Sequence, residues 1–165
     1  MAQFVSNCHT KSDREGLVQS LAKHIKVDVY GGCGRLKCGR DRQEECYQMV
    51  NRSYKFYLSL ENSVCLVGWV TLKSLSTPSL CQDYVTEKYF NLLPYNVIPV
   101  VLNGANMSRV APPHSFINVR DFNTTEELAL YLHTVDQDDK LFASYFWWRE
   151  YYTVKVGRGS TEQHL

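Results

Sequence analysis

The residues with most chemical promise lie between Tyr54 and Lys88. Tyr54-Lys-Phe-Tyr-Leu-Ser-Leu60 is a β-rich run that leads into Glu61-Asn-Ser63, and further on comes Asp83-Tyr-Val-Thr-Glu87-Lys88. Asp83 reads as the N-cap of a helix that turns Val85, Tyr89 and Leu92 or Leu93 inward. A helix N-terminus presents unpaired amide N–H groups and a partial positive charge, which favour an anion. Lys88, one turn inside, adds a full positive charge. Glu87, about 100° around the helix, can accept two hydrogen bonds from a vicinal diol such as a ribose. Phosphate plus ribose means a nucleotide. On its own such a stretch is more often a capped, solvated helix start, so the pattern needs support from the rest of the chain.

The elements that would position it alternate in type. Ser12-Asp-Arg-Glu15 has the form of a capping box, followed by Leu17, Leu21 and Ile25 at helical spacing. Val27–Tyr30 reads as a short strand broken by Gly31-Gly32. Tyr54–Leu60, Val97–Leu102 and Ser115–Val119 are further strands, and Pro112-Pro113 enters the last of them. Thr124 or Thr125 caps a helix through Leu128, Leu132 and Val135, and Asp138–Tyr151 reads as a final aromatic-rich helix. Strands and helices alternating at these lengths imply βαβ units and a mostly parallel sheet. Ligands of such a sheet sit at the carboxyl ends of its strands, where Glu61–Ser63 and Asp83–Lys88 fall.

Composition narrows the function class. A chain of 165 residues suits one domain, and 44% hydrophobic with 13% aromatic residues marks a folding sequence. The net charge is +1 with no basic stripe, which argues against nucleic acid as a partner. The longest apolar run, near Val97–Leu102, is too short to span a bilayer, and Met1-Ala2-Gln3 does not begin a signal peptide. The chain therefore reads as soluble or as a piece of something longer. Six cysteines (Cys8, Cys33, Cys38, Cys46, Cys65 and Cys81) suit disulfides in an oxidising compartment, with buried free thiols as the alternative and connectivity open. Cys33–Cys38–Cys46 lacks the close pairing of a structural zinc site. His9, His24, His114, His133 and His164 do not cluster with cysteines or acids, so no metal site is expected. Asn51-Arg-Ser, Asn106-Met-Ser and Asn123-Thr-Thr are N-glycosylation sequons and agree with a secretory setting. Phe146-Trp-Trp148 with Tyr151-Tyr152 suits packing against the sheet better than stacking on a sugar. Gly157–Leu165 reads as a frayed tail.

Tyr-Lys-Phe-Tyr-Leu-Ser-x-Glu-Asn-Ser followed by Asp-Tyr-Val-Thr-Glu-Lys resembles the signature of the α-1,3-fucosyltransferases, glycosyltransferase family 10. The resemblance extends over Phe4-Val-Ser-Asn-Cys8 with Arg14, and over Val27-Asp-Val-Tyr-Gly-x-Cys-Gly-x-Leu-x-Cys38. It continues through Val97-Ile-Pro-Val-Val101, Ala111-Pro-Pro-x-Ser-Phe-Ile117, Asp121-Phe122, Glu127-Leu-Ala129, Tyr131-Leu132 and Tyr145-Phe-Trp-Trp148. It covers most of residues 3–152, which would form the donor-binding C-terminal domain of a GT-B glycosyltransferase, an α/β fold with a Rossmann-like parallel sheet and flanking helices. Residues 153–165 would be a flexible tail. The resemblance implies that Arg14 and Lys88 hold the diphosphate of GDP-fucose and Glu87 the ribose hydroxyls, while Asn62 and Tyr84 line the pocket with Tyr30 and Glu61 nearby. Such cations stabilise the charge that grows as the glycosidic bond breaks. No cofactor is then required, and a divalent cation is at most stimulatory. Transfer would be inverting, from GDP-fucose to an N-acetylglucosamine of a glycoprotein glycan. The general base is expected in an N-terminal acceptor domain, so no catalytic residue is assigned within this chain. The family implies a Golgi enzyme held by a single N-terminal anchor, and Cys-Gly-x-Leu-x-Cys leans toward the invertebrate and plant core-type branch.

Two departures temper this. No anchor, stem or acceptor domain precedes Phe4. Residues 66–81, apolar and serine-rich, stand where the family passes from Glu-Asn-Ser to Asp-Tyr-Val-Thr-Glu-Lys through about three residues. They read either as a retained short intron or as a surface loop closed by a Cys65–Cys81 disulfide, which chain entropy permits because closure cost grows slowly with length. The expectations for the chain are thus a partial fucosyltransferase, a nucleotide-sugar-binding fragment that turns nothing over, or the product of a misassembled gene.

Overall fold

The computed structural model describes residues 1–10, 12–62, 86–102 and 106–154. Among the described residues five parallel strands form one sheet in the order β2-β1-β3-β4-β5. They are β1 (Ala2–Phe4), β2 (Asp28–Tyr30), β3 (Phe56–Leu60), β4 (Ile98–Leu102) and β5 (Ile117–Asn118). The helices are α1 (Arg14–Leu21), α2 (Gln43–Ser53), α3 (Glu87–Phe90), α4 (Thr125–Gln137) and α5 (Asp139–Ser144). The α/β class and parallel sheet read from the sequence are therefore present. No helix among the described residues is long and apolar enough to cross a membrane.

Strands β3 and β4 pair from Phe56↔Ile98 to Leu60↔Leu102, and every residue of both is buried. Parallel strands covered on both faces read as continuous apolar runs, which is why these two were legible. Phe56, Leu58 and Leu60 join Ile98, Val100 and Leu102 in a core with Leu21 of α1 and Leu128, Leu132 and Val135 of α4. The alternate residues face away from that core. Tyr57 packs with Tyr47 and Val50 of α2, and Val101 with Tyr89 of α3. Pro99 sits within a central strand without breaking a ladder. Ile98 N–H donates to Lys55 O, so Pro99 faces the β5 side, where pairing begins only at Val100.

Several local expectations need correction. β1 and α2 are elements that the sequence pattern does not mark, and Glu44 and Glu45 form the first turn of α2. The Ser12–Glu15 capping box does not form. Asp13 is the N-cap in left-handed conformation with no side-chain cap. The Ser12 hydroxyl instead donates to Glu61 O at 2.8 Å, and the Glu15 carboxylate accepts from Thr10 Oγ1. A buried long-range bond has taken the group that would have capped the helix. The helix expected from Asp83 starts later: Thr86, in extended conformation, is its N-cap, so Lys88 is its second residue rather than one turn inside; Asp83 and Val85 lie outside the described residues. What is described is one turn, Glu87–Phe90, continued by tighter turns that bury Tyr89 and Leu92. At α4, Thr124 accepts from Glu127 N–H, and Glu127 accepts from Asn123 N–H.

The expected long helix over Asp138–Tyr151 is broken in two. Asp138 caps α5 by accepting from Lys140 and Leu141 N–H. Beyond Ser144 the Trp148 indole donates to Tyr145 O at 3.1 Å, taking the carbonyl that residue 149 would use in a continuing helix. Arg149 N–H turns to Phe146 O, which tightens Trp147–Glu150 into a 3₁₀ helix. The Arg149 guanidinium then ties this segment to Leu93 O and Tyr95 O. Tyr145 and Trp148 are buried, whereas Trp147, Tyr151 and Tyr152 remain exposed, so only part of the aromatic run packs on the sheet.

Buried tyrosines set an alkaline limit. Burial, above all, pushes the Tyr89 and Tyr95 hydroxyls up to about 12, and it raises those of Tyr54, Tyr57 and Tyr145 as well. A raised folded-state pKa gives stability that is fully present below the unfolded tyrosine value near 10 and lost as pH rises through the folded value. Unfolding should therefore set in between about pH 10 and 12, together with a cooperative rise in tyrosinate absorbance. Gradual ionisation with the fold intact would contradict this.

Candidate functional site

The strand order places a reversal between β1 and β3. From β1 the chain passes through α1 to β2 on one side, and the later strands add on the other. In doubly wound sheets the crevice above such a reversal, at the carboxyl ends of the strands, is the place where ligands bind. A cleft of about 460 Å³ opens there. Its walls come from the loop after β1 (Ser6, Asn7), the end of β2 (Tyr30, Gly31), Asn62 beyond β3, and Glu87 and Lys88 of α3.

The rim is fixed by short-range constraints. Val5 N–H donates to Tyr30 O, and Cys33 N–H to Val5 O. Gly31 has φ +100°, and a Cβ there would lie 2.5 Å from Val5 O, so only glycine fits the turn. A Cys8–Cys33 disulfide joins the loops that follow β1 and β2, and Cys38–Cys46 ties the chain before α2 to α2 itself. Among the described residues no cysteine is free; Cys65 and Cys81 lie outside them.

Arg14, the first residue of α1, reaches the cleft from below. Its side chain is 4% exposed. Nη1 donates to Leu60 O at 3.2 Å, Nη2 to Asn7 O at 2.7 Å and Nε to Glu15 at 3.4 Å. The guanidinium thus bridges the ends of β1 and β3. It carries five N–H donors, so donors remain for an anion in the cleft.

Lys88 also lines the cleft, and its ammonium is paired with Glu61. Lys88 Nζ is 2.6 Å from Glu61 Oε2, and the two side chains are 28% and 3% exposed. The other oxygen of Glu61 accepts from Thr86 N–H at 2.9 Å and from the Thr86 hydroxyl at 2.6 Å. Glu61 is therefore inside the wall rather than on it. Glu87 is exposed and lines the cleft. With one turn of helix, aligned peptide dipoles add little here, and the Thr86 N–H is spent on Glu61. The positive charge of this wall is that of Lys88.

Of the residues singled out in the sequence, Arg14, Tyr30, Asn62, Glu87 and Lys88 converge on the cleft, and Glu61 supports it. Tyr84 and residues 66–81 lie outside the described residues. Sequence reasoning missed the aromatic floor formed by Phe4, Tyr47 and Tyr57, where the Phe4 ring meets Tyr57 edge-on at 5.3 Å and Tyr47 stacks on Tyr95. The apolar spacing of Cys46, Tyr47 and Val50 was the available signal, since it marks one face of α2. Tyr30 is oriented by its hydroxyl, 2.8 Å from that of Tyr54, which donates to Asp28. The sequon residues Asn106 and Asn123 are exposed, and Asn51 lies half-buried near the end of α2. Among the described residues no group of three or more His, Cys, Asp or Glu side chains converges to hold a metal.

Comparison with known proteins places this arrangement. The family model for the C-terminal domain of glycosyltransferase family 10, the fucosyltransferases, matches residues 1–78 and 75–165. Alpha-(1,3)-fucosyltransferase C of Drosophila melanogaster is 44% identical over 153 residues, which are 93% of this chain and 32% of the relative. Alpha-(1,3)-fucosyltransferase fut-1 of Caenorhabditis elegans is 38% identical over 160 residues, 96% of this chain and 33% of the relative. The chain thus spans about a third of the length of these relatives. A crystal structure of an α1,3-fucosyltransferase with GDP-fucose superposes with a TM-score of 0.63 at 22% identity, over 89% of this chain and 38% of that one.

Proposed function

The chain belongs to glycosyltransferase family 10, the fucosyltransferases, and on that premise we propose that residues 3–152 form the donor-binding domain of an α-1,3-fucosyltransferase. The donor is GDP-fucose, and the acceptor is an N-acetylglucosamine of a glycoprotein glycan. The observation that carries this reading is the convergence of Arg14 and Lys88 from separate elements on a cleft at the strand-order reversal. Two cations lining one cleft together with aromatic rings suit a nucleoside diphosphate. Arg14 and Lys88 hold its phosphates and stabilise the charge of the leaving group. Exposed Glu87 accepts from the ribose hydroxyls, and Tyr30, Asn62 and Tyr84 complete the pocket. No cofactor is required, and a divalent cation at most stimulates.

An inverting displacement needs a base to take the proton of the attacking hydroxyl. Among the described residues, Glu61 is enclosed by Thr86 and Lys88 and Glu87 is assigned to the ribose, so neither described carboxylate at the cleft is free for that task. The base lies outside residues 1–165, in the part of the protein that meets the acceptor. The whole protein works in the Golgi lumen, where disulfides persist, and Asn51, Asn106 and Asn123 are available for glycans. Residues 66–81 are an insertion in the sequence between the two halves of the donor motif, and residues 153–165 follow the domain.

A transfer assay tests this assignment. Residues 1–165 with GDP-fucose and an N-acetylglucosamine-terminated acceptor should bind the donor and yield no fucosylated product above background. Fucosylation at a rate near that of a full-length relative would place the base within this chain and contradict the proposal.

A further inference from the structure

We propose that Glu61 is a positioning residue of the donor site, a buried carboxylate that sets the place of the Lys88 ammonium and docks the start of α3 onto β3. This rests on the reading of Lys88 as a ligand of the donor's diphosphate. Glu61 follows the last residue of β3, and its main chain is fixed on two sides. Its N–H donates to Leu102 O of β4, and its O accepts from the Ser12 hydroxyl just before α1. Its carboxylate is 3% exposed and spends both oxygens on α3, one on Lys88 Nζ and the other on the N–H and hydroxyl of Thr86.

One residue therefore joins both sides of the cleft. Ser12 precedes Arg14 by two positions, and Arg14 itself holds Leu60 O, the carbonyl next to Glu61. A shift of Glu61 would move the Arg14 and Lys88 sides together. The bond partners Glu61 and Thr86 are 25 residues apart in sequence. With so long a connection, covalent continuity does little to fix α3 against β3. Charge-assisted hydrogen bonds are among the strong, directional ones, and three of them converge on this carboxylate. Lys88 has three N–H donors and gives one to Glu61, so its remaining donors stay aimed at the cleft. A freely rotating lysine would have to be ordered at the moment of binding, which weakens affinity.

The test is a double-mutant cycle on the full 165-residue chain, with GDP as the probe in calorimetry and thermal melting as a check on folding. Glu61→Gln is close to isosteric. Its carbonyl can still accept from Thr86, while its amide turns a donor toward Lys88. The expected result is about a tenfold loss of GDP affinity for Glu61→Gln, and no further loss when it is added to Lys88→Ala. Glu61→Asp, which withdraws the carboxylate by one methylene, should fall between wild type and Gln and serves as the readout if Gln impairs folding. Unchanged affinity in folded Glu61 variants, or an equal loss with and without Lys88, would overturn the positioning role alone. Unchanged affinity in Lys88→Ala would instead overturn the donor-site reading beneath it.

Discussion

Alanine at Lys88 or at Arg14 should weaken GDP binding by about 10- to 100-fold, the loss of one charge-assisted interaction of roughly 1.5–3 kcal/mol. The two variants should differ in their side effects. Arg14→Ala removes the donor for Leu60 O at the end of β3 and for Asn7 O in the loop after β1. Leu60 O is buried, and leaving that acceptor unsatisfied costs about 1–3 kcal/mol, so this variant should also melt early. Lys88→Ala strips the counter-ion from the Glu61 carboxylate, but Thr86 still donates to it twice. Its stability loss should be smaller, and addition of Glu61→Gln should relieve it. Arg14→Lys would keep the charge and lose the bridge between strand ends, so it should recover little. Calorimetry beside thermal melting separates the two effects. If both alanine variants bound GDP as wild type does, the cleft would not be the diphosphate site.

The second large effect concerns the disulfides. Cys8–Cys33 closes a sequence separation of 25 residues, and its removal should cost about 3–4 kcal/mol through the entropy of the unfolded chain. For a chain of this length that is a fall in melting temperature of roughly 10 °C. Cys38–Cys46, at a separation of 8, should contribute less. The larger functional consequence also belongs to Cys8–Cys33, because it joins the loops after β1 and β2 that form one wall of the cleft. Cys8→Ser should therefore lower both stability and GDP affinity, and saturating GDP should restore part of the lost stability by mass action. Melting curves of the oxidised chain, the Cys8→Ser variant and the reduced chain, with and without GDP, check this. Identical melting of oxidised and Cys8→Ser protein would contradict it.

What could be read from the sequence follows from how local the determinants are. β3 and β4 are continuous apolar runs, and α4 carries Leu128, Leu132 and Val135 at helical spacing behind a threonine cap, so one segment suffices to identify each. β1 is three residues long and α2 is mostly polar on its outer face, and neither shows such a pattern in isolation. The Ser12–Glu15 and Asp138–Tyr151 expectations failed for one shared reason. In each a side-chain bond displaces a helical one: the Ser12 hydroxyl goes to Glu61 O instead of capping α1, and the Trp148 indole takes the Tyr145 O that a continuing helix would use.

The site divides in the same way. Residue types suited to a nucleotide were visible in Arg14, Glu87 and Lys88, and resemblance to a family gave them roles. Their convergence depends on the order β2-β1-β3, a property of the whole sheet. The family resemblance puts Glu61 near the pocket. A strand sends successive side chains to opposite sides, and the Glu61 carboxylate is buried against Lys88 and Thr86 rather than lining the cleft. The aromatic floor comes from β1, α2 and β3, three separate segments, and no single stretch of sequence announces it.

The central claim is that the cleft between Arg14 and Lys88 binds the diphosphate of a GDP-sugar. The most direct measurement is calorimetric titration of the 165-residue chain with GDP-fucose, beside the same titration of Lys88→Ala. One-to-one binding that weakens by about tenfold or more in the variant is the predicted result. No heat of binding from a folded wild-type chain, or equal affinity in both proteins, would contradict it.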